Sequence, residues 1–311
     1  MTLTVTVAIP VRDGGASFAD VLAAVGRQRV DRELELLVAD SGSTDGSREL
    51  AARSGARVID VPPGEFSHGG TRRLLAESAR GDHIAFLTDD AVPATDRWLA
   101  NMLAAFDLAP DVALAYGPYV PRPDASVMVA RELTEFFRSL SPDGRPRIDR
   151  GLREEDRRPG PVTFYTDANG CIARWAAERV PFRTVSYAED QLLATEMLAA
   201  GFAKAYMPDA AVVHSHEYPP REQFGRIFDE FRALREVYGH VEEVGVRHTL
   251  GTIRLSVRRD RAAGGDAVVP ASLRYHALRA AGAALGTRAG RLPPAVRAWC
   301  SLSGNAGFEP R

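Results

Sequence analysis

Nowhere in the 311 residues does an apolar run approach the ~18–20 residues that a membrane-spanning helix needs. Cysteine is almost absent. Cys171 and Cys300 lie far apart with no metal or redox spacing, which excludes a disulfide scaffold or a zinc module and fits a reducing compartment. Met1 leads straight into the alternating stretch Leu3–Ile9 without a basic segment, so no secretory leader is expected and a cytoplasmic protein is. No G-x-G-x-x-G follows the first apolar stretch, which disfavours a dinucleotide-dependent oxidoreductase. Internal repeats are missing as well, and with them solenoid and propeller folds.

What remains is an ordinary globular composition, 45% hydrophobic and 26% charged, in a chain long enough for a substantial core. The net charge of −2 hides an asymmetry. From Arg247 onward eleven arginines face only Asp260, Asp266 and Glu309, a balance of +8, which leaves −10 on the first 246 residues. A basic tail on an acidic body implies an anionic surface partner rather than nucleic-acid binding by the whole chain.

The first third alternates strand and helix. Val5–Ile9, Leu34–Ala39 and Arg57–Val61 read as strands. Between them lie a helix over Phe18, Val21, Leu22 and Val25, with Ser17 as its cap, and a helix over Ser47–Arg53. This β-α-β-α-β order implies parallel strands with right-handed crossovers. Asp40 ends the second strand, where its carboxylate can accept from a base or a ribose, and the loop 41–46 after it, Ser43 included, exposes backbone N–H groups at a helix start. The same residues would serve as ordinary turn and cap residues. In Gly-Glu-Phe-Ser-His-Gly-Gly-Thr-Arg-Arg (64–73), Gly69 and Gly70 permit close backbone approach ahead of a Thr71–Ala79 helix. Arg72 on its first turn can face an anion, and His68 can touch a phosphate or sugar.

The centre of the chain is the strand Ile84–Leu87, which ends in Asp89 and Asp90 before Pro93 stops it. Adjacent carboxylates repel unless a cation or strong donor shares them, and a hard divalent cation holding a diphosphate answers that need. A plain cap of the Asp96–Phe106 helix is the competing reading. Val112–Tyr116 continues the sheet and Met128–Phe137 reads as a helix. Ser141–Pro161 shows no periodicity and is either a solvated loop or a lid. Val162–Tyr165 and Asn169–Ala173 are short extended runs. Glu189 and Asp190 open a helix ended by Gly201, where acids suit the helix dipole or the removal of a proton from a hydroxyl. After the extended stretches Lys204–Met207 and Ala211–Val213 come His214 and His216, either of which can place a ring at a metal.

Taken in order, strand–Pro10-x-Arg12, Val-Ala-Asp40-Ser-Gly-Ser-Thr-Asp45-Gly, Phe-Ser-His-Gly-Gly-Thr-Arg72 and Phe-Leu-Thr-Asp-Asp90-Ala resemble the family 2 glycosyltransferases of GT-A fold, bacterial rhamnosyltransferase-like members above all. The likeness covers roughly residues 4–216. It implies an α/β catalytic domain over 1–218, with a mainly parallel sheet flanked by helices, a nucleotide-sugar half (about 1–116) and an acceptor half (about 117–218). The activity implied is an inverting, metal-dependent transfer of a hexosyl group, L-rhamnosyl in expectation, from a UDP- or dTDP-sugar to a glycan or lipid-linked acceptor. Under that resemblance Pro10, Arg12 and Asp13 border the nucleotide, Asp40 reads the base and Arg72 approaches the sugar. Asp89 and Asp90 form the acidic motif for Mn²⁺ or Mg²⁺, completed by a histidine, His214 in preference to His216. Asn169 and Gly170 lie beside the acceptor, Asp190 is the base and Glu189 positions the acceptor. Two departures stand out: Ala91 follows Asp90 where the family often has a second Asp, and Arg73 stands where relatives commonly have Asn. A sugar nucleotidyltransferase would want a glycine-rich basic loop after the first strand, of which Arg12-Asp-Gly-Gly is a poor version, and a non-catalytic scaffold would not need all these acids.

Residues 219–311 read as a basic helical extension, with an apolar stripe of Phe224, Ile227, Phe228, Phe231 and Leu234 followed by helical Leu250–Leu255 and Leu273–Leu285. The stripe reads as packing, with a dimer contact as one use. For 270–297 a packed layer and a basic surface resting on the inner face of a membrane are both open.

Overall fold

The structure, a computed structural model, describes residues 4–62, 64–153, 156–185, 187–239, 241 and 245–302. It divides into two compact units: Met1–Pro121 with Thr134–Val185 and Glu189–His214, and Arg122–Leu133 with Ser186–Ala188 and Ser215–Arg311.

The first unit begins as its periodicity dictates. β1 (Thr4–Val11), α1 (Gly15–Gly26), β2 (Glu33–Asp40), α2 (Ser47–Arg53), β3 (Arg57–Asp60), α3 (His68–Ser78) and β4 (His83–Leu87) alternate, and β3-β2-β1-β4 pair in parallel. The expected cap at Ser17 is corrected: α1 starts two residues earlier, after Gly14, and no side chain caps it. The helix expected from Thr71 likewise begins at His68, because the Ser67 hydroxyl accepts the Gly70 N–H and closes the first turn earlier.

Beyond β4 the sheet changes direction. β5 (Val92–Pro93), α4 (Trp98–Leu103), β6 (Val112–Tyr116), β7 (Tyr119–Val120), α5 (Val127–Leu140), β8 (Arg147–Arg150), β9 (Asn169–Ala173), α6 (Arg174–Ala177), α7 (Glu189–Ala199), β10 (Ala203–Tyr206) and β11 (Val212–Val213) follow. The large sheet runs β3-β2-β1-β4-β9-β6-β10-β8, with β9 antiparallel to both neighbours and β8 antiparallel to β10, so parallel pairs keep a narrow majority. Two expectations are corrected here. The stretch 141–161 contains the edge strand β8, held because buried Lys204 on β10 meets Asp149 at 3.3 Å and the Phe164 and Pro161 carbonyls; residues 154 and 155 of that stretch lie outside the described residues. Val162–Tyr165 is turn and irregular chain rather than strand, and its Phe164 carbonyl accepts from that lysine.

Asn169 fixes the junction between the two sheets. Fully buried, its amide donates to Pro118 O and Ala210 O and accepts from Trp98 Nε1 at 2.8 Å. Gly117 lies alongside, where a Cβ would come within 1.9 Å of Ala210 O. The second sheet, β5-β11-β7, thereby hangs from β9, with Pro93 on an edge strand where its missing N–H costs nothing.

The second unit is helical: α8 (Pro220–Tyr238), α9 (Val246–Gly264), α10 (Val269–Gly286) and α11 (Pro294–Cys300). The stripe expected on α8 is its core, with Phe224 and Phe228 packed under Leu278, Leu285, Ala289 and Cys300. Gly282 and Gly286 let α10 lie against α8, a Cβ at either coming within 2.9 and 2.5 Å of the Phe224 and Phe228 carbonyls. Among the described residues no helix is long and apolar enough to cross a membrane.

Replacing Asn169 with Ala strands the buried Trp98 donor and the Ala210 carbonyl, while Pro118 O keeps the Val212 N–H. Urea unfolding should show a loss of about 3 kcal/mol; a change under ~0.5 kcal/mol would mean that the two sheets are joined by other contacts.

Candidate functional site

The crevice lies at the carboxyl ends of the parallel strands, where β1, β2 and β4 release Arg12, Asp40 and Asp89. Register aligns the first two ends, Val11 pairing Asp40 and Pro10 pairing Ala39. The loops beyond are stitched together: Asp13 N–H donates to Ser43 Oγ at 3.0 Å, and Asp13 Oδ1 accepts from Thr44 N–H at 2.6 Å. Asp13 sits at φ 51°, a conformation that a short polar side chain bonding to nearby backbone tolerates. Buried Asp40 accepts the Gly42 and Ser43 N–H groups on Oδ2, so it is a turn residue, while its Oδ1 has no hydrogen-bond partner among the described residues. A buried carboxylate oxygen left over at a strand end is a ready acceptor for a ligand N–H or O–H.

At β4 the structure brings the acidic pair to a histidine. β11 pairs antiparallel with β5, Val213 opposite Val92, and this register carries His214 to the residues preceding β5. His214 Nδ1 lies 3.3 Å from Asp90 Oδ1, which also accepts from Thr88 Oγ1 at 3.0 Å. Asp89 accepts the Arg12 backbone N–H; burial, then the neighbouring Asp90, pushes its carboxyl up to about 6, against a smaller pull from His214. A carboxylate oxygen and an imidazole nitrogen converging beside a second carboxylate form a donor set that a divalent cation such as Mn²⁺ accepts. His216 belongs to the second unit, exposed and stacked on Tyr218.

A second acidic cluster gathers at the loop leading into β9. Its register pairs Asn169 with Leu87, so Asp167, two residues before, leaves the sheet at the same end as Asp89. Buried Arg72 forms an ion pair with Asp167 and reaches Glu189 at 3.4 Å. The expectation that Arg72 faces a ligand anion is therefore corrected: three acids outweigh the burial that opposes its charge, and they turn it inward. Burial raises Asp167 well above the ordinary carboxylate range despite Arg72. Burial and then the charge of Glu189 push Asp190 up to about 7, while the Gln191 and Asp167 N–H groups and Arg72 hold it down. Asp190 keeps partial solvent access, whereas Glu189 is buried. Ala188 just before them sits at φ 60°, a strained conformation for alanine.

The sequence reading passed over two residues here, Tyr119 between the clusters and Asp167 within the second. Tyr119 packs edge-on against His214, ring centroids 4.8 Å apart, and its hydroxyl bonds Thr166, the neighbour of Asp167. Asp167 is the larger omission. Its signal was present in Thr-Asp-Ala-Asn-Gly, an acid directly ahead of a fully buried strand. Other expected residues have structural employment. Gly69 admits the Arg183 carbonyl, which a Cβ would meet at 1.9 Å, Gly70 faces its own cap, and Gly170 faces the Tyr165 hydroxyl. Asn169, expected beside an acceptor, is instead the sheet junction, with both amide hydrogens spent. His68 is exposed against Phe66, and Arg12 is exposed at the crevice.

The profile described as glycosyl transferase family 2 matches residues 6–174. O-antigen chain rhamnosyltransferase RfbN of Salmonella typhimurium is 31% identical over 232 residues, covering 73% of this chain and 71% of that one. WbaN of Salmonella anatum, of the same description, is 29% identical over 230 residues, covering 72% and 70%. Among solved structures, the Pyrobaculum calidifontis mannosyltransferase PcManGT, in complex with GDP-Man and Mn²⁺, superposes with TM-score 0.61 at 18% identity over 91% of this chain and 86% of that one. Glucosyl-3-phosphoglycerate synthase of Mycobacterium tuberculosis, with Mn²⁺, UDP-glucose and phosphoglyceric acid, gives 0.54 at 20% identity over 78% and 83%. The fold is GT-A.

Arg72→Met should cost about 3–5 kcal/mol in urea unfolding, because it leaves buried carboxylates without their cation. Adding Asp167→Leu should recover part of that loss. If the double variant is less stable than Arg72→Met alone, the ion pair is not what holds this cluster.

Proposed function

The chain belongs to glycosyl transferase family 2 and is a glycosyltransferase; from that premise we propose that it moves a hexosyl group, L-rhamnosyl by kinship with the O-antigen enzymes, from a nucleoside-diphosphate sugar to a hydroxyl of a glycan or lipid-linked acceptor, with inversion at the anomeric carbon. The observation that carries this reading is the meeting, at one end of the sheet, of an Asp–Asp–His cluster and a buried Arg–Asp–Glu–Asp cluster bridged by Tyr119 and Thr166.

Asp40 Oδ1 would take the N–H of the base, and the Arg12–Ser43 loops would border the nucleotide. Asp90 and His214, with Asp89 behind, would hold Mn²⁺ or Mg²⁺, and His216 is the alternative ligand. A bound divalent cation supplies positive charge to the departing diphosphate. The donor could be a UDP- or dTDP-sugar; PcManGT and the M. tuberculosis synthase were solved with GDP-Man and UDP-glucose.

Asp190 is the base. The acceptor oxygen forms the new bond to the anomeric carbon as the bond to the diphosphate breaks on the opposite face, and its proton passes to the Asp190 carboxylate. A base raised towards neutrality takes a proton more readily than an ordinary carboxylate and is still ionised in part at working pH. The Gln191 and Asp167 N–H groups hold that carboxylate in place, and the charge of Arg72 attracts it.

Because only ionised Asp190 accepts a proton, kcat/KM should rise with pH, about tenfold between pH 6 and 8 for a single group near 7. Asp190→Asn should lower kcat by about 10²–10⁴-fold and leave nucleotide binding nearly intact; equal loss of both would remove it as the base. Thermal melting with UDP, dTDP or GDP should rise further with Mn²⁺, and Asp90→Ala should abolish the metal-dependent part. His214→Ala and His216→Ala decide which ring takes part. Equal stabilisation of the unaltered chain with Mn²⁺ or EDTA, or a metal-dependent rise that survives in Asp90→Ala, would end the metal assignment.

A further inference from the structure

The arginines of the C-terminal region concentrate on α9 in an ordered way. Its one acid, Asp260, is fully buried and held by Arg131 at 2.5 Å, Ser272 at 2.6 Å and His276 at 2.7 Å. That lock fixes which side of α9 faces the unit. His248, Thr249, Thr252, Ile253 and Ser256 lie on the same side and line a cavity of about 330 Å³ against α8 and α10.

Helical spacing then sets what the other sides carry. Arg247, Arg254, Arg258 and Arg261 stand at i, i+7, i+11 and i+14 on one line of the helix, all exposed. Arg261 pairs with Asp266, while no acid among the described residues pairs with Arg247, Arg254 or Arg258. Beside this line, between it and the buried side, runs an apolar ridge of Val246, Leu250 and Val257 at i, i+4 and i+11. Val246 is 76% exposed and Leu250 52%. A basic line flanked by an exposed apolar ridge has no packing partner within the unit, and it is the pattern of a helix lying in the plane of a membrane interface. The sequence left such a surface open for 270–297, but α10 spends its glycine side on α8.

From this geometry we infer that α9 is a peripheral docking helix for an anionic bilayer surface, its arginines on the head groups and Val246 and Leu250 in the acyl boundary. The charge selects an anionic partner. The ridge selects a bilayer over a soluble polyanion, which would gain nothing from two exposed apolar side chains. This role is independent of the reaction assigned above.

Co-sedimentation of the full chain tests it with vesicles of phosphatidylcholine alone and of phosphatidylcholine with phosphatidylglycerol. The protein should pellet only with the anionic vesicles and be released as salt rises from about 0.1 to 0.5 M, as the Debye length shrinks. Each basic residue at such a surface is worth roughly fivefold, so Arg247→Gln, Arg254→Gln and Arg258→Gln together should weaken binding about a hundredfold. Leu250→Glu should weaken it at unchanged arginine content. Undiminished binding of Leu250→Glu overturns the proposal in favour of a soluble polyanion, and no binding to anionic vesicles, or equal binding to both kinds, overturns it outright. All four positions are exposed, so the melting temperature and its rise with nucleotide should stay unchanged, and that rise tests the glycosyltransferase reading separately.

Discussion

The site depends on one guanidinium buried among carboxylates. Arg72 leaves the first turn of α3, points inward and meets Asp167 and Glu189, with Asp190 close enough to feel its charge. Each of those acids alone would cost several kcal/mol to bury. With Arg72 in place they are tolerated, and the loop ahead of β9 and the start of α7 must both converge on α3. Local chemistry prepares the meeting. Ser67 caps the helix so that it begins at His68, and Gly69 leaves room for the Arg183 carbonyl just before α7. Ala188 accepts a left-handed backbone, a cost of about 1–2 kcal/mol, to turn the chain into Glu189.

The same convergence has an electrostatic result. One cation cannot neutralise three acids in a dry environment, so the surplus charge is met by proton affinity: Asp167 and Asp190 rise while Glu189 lies against the guanidinium. Asp190, partly open to solvent, is the member through which a proton can enter or leave. The burial that makes the cluster costly also moves Asp190 towards neutrality, where the proposed base would work.

Much of the first unit was legible because its signals are local. Strand-length apolar runs ending in Asp40 and Asp89, each followed by a turn and a helix, gave the parallel half of the sheet and the crevice at its end. Asp90 and His214, 124 residues apart, do come together. Contacts that depend on antiparallel register were hidden. β8 lacks a run because Lys204 and Asp149, not apolar side chains, fill its neighbourhood. Asp167 was passed over because its importance arises from lying level with Asp89 across β9, which no spacing along the chain reveals. Arg72 was misdirected for the same reason: an arginine at a helix start looks like an anion site until its own acids are found. Glycines misled similarly, since Gly69, Gly70 and Gly170 make room for protein atoms.

The two acidic clusters solve the same problem in different ways, and the difference bears on function. Around Asp167, Glu189 and Asp190 the compensating charge is covalently part of the chain, so that cluster is complete before any ligand arrives. Around Asp89 and Asp90 the partners include a backbone N–H, a hydroxyl and an imidazole. A catalytic base must be positioned and tuned at all times, because the acceptor brings nothing to set its proton affinity. A diphosphate site is better left short of positive charge, since a full complement of arginines would hold the nucleotide after transfer as firmly as before it. On the proposed reading, a dissociable cation would tie the binding of donor and metal together and let both leave with the product. In that proposal the resident guanidinium presets the base, and ligand would complete the leaving-group site.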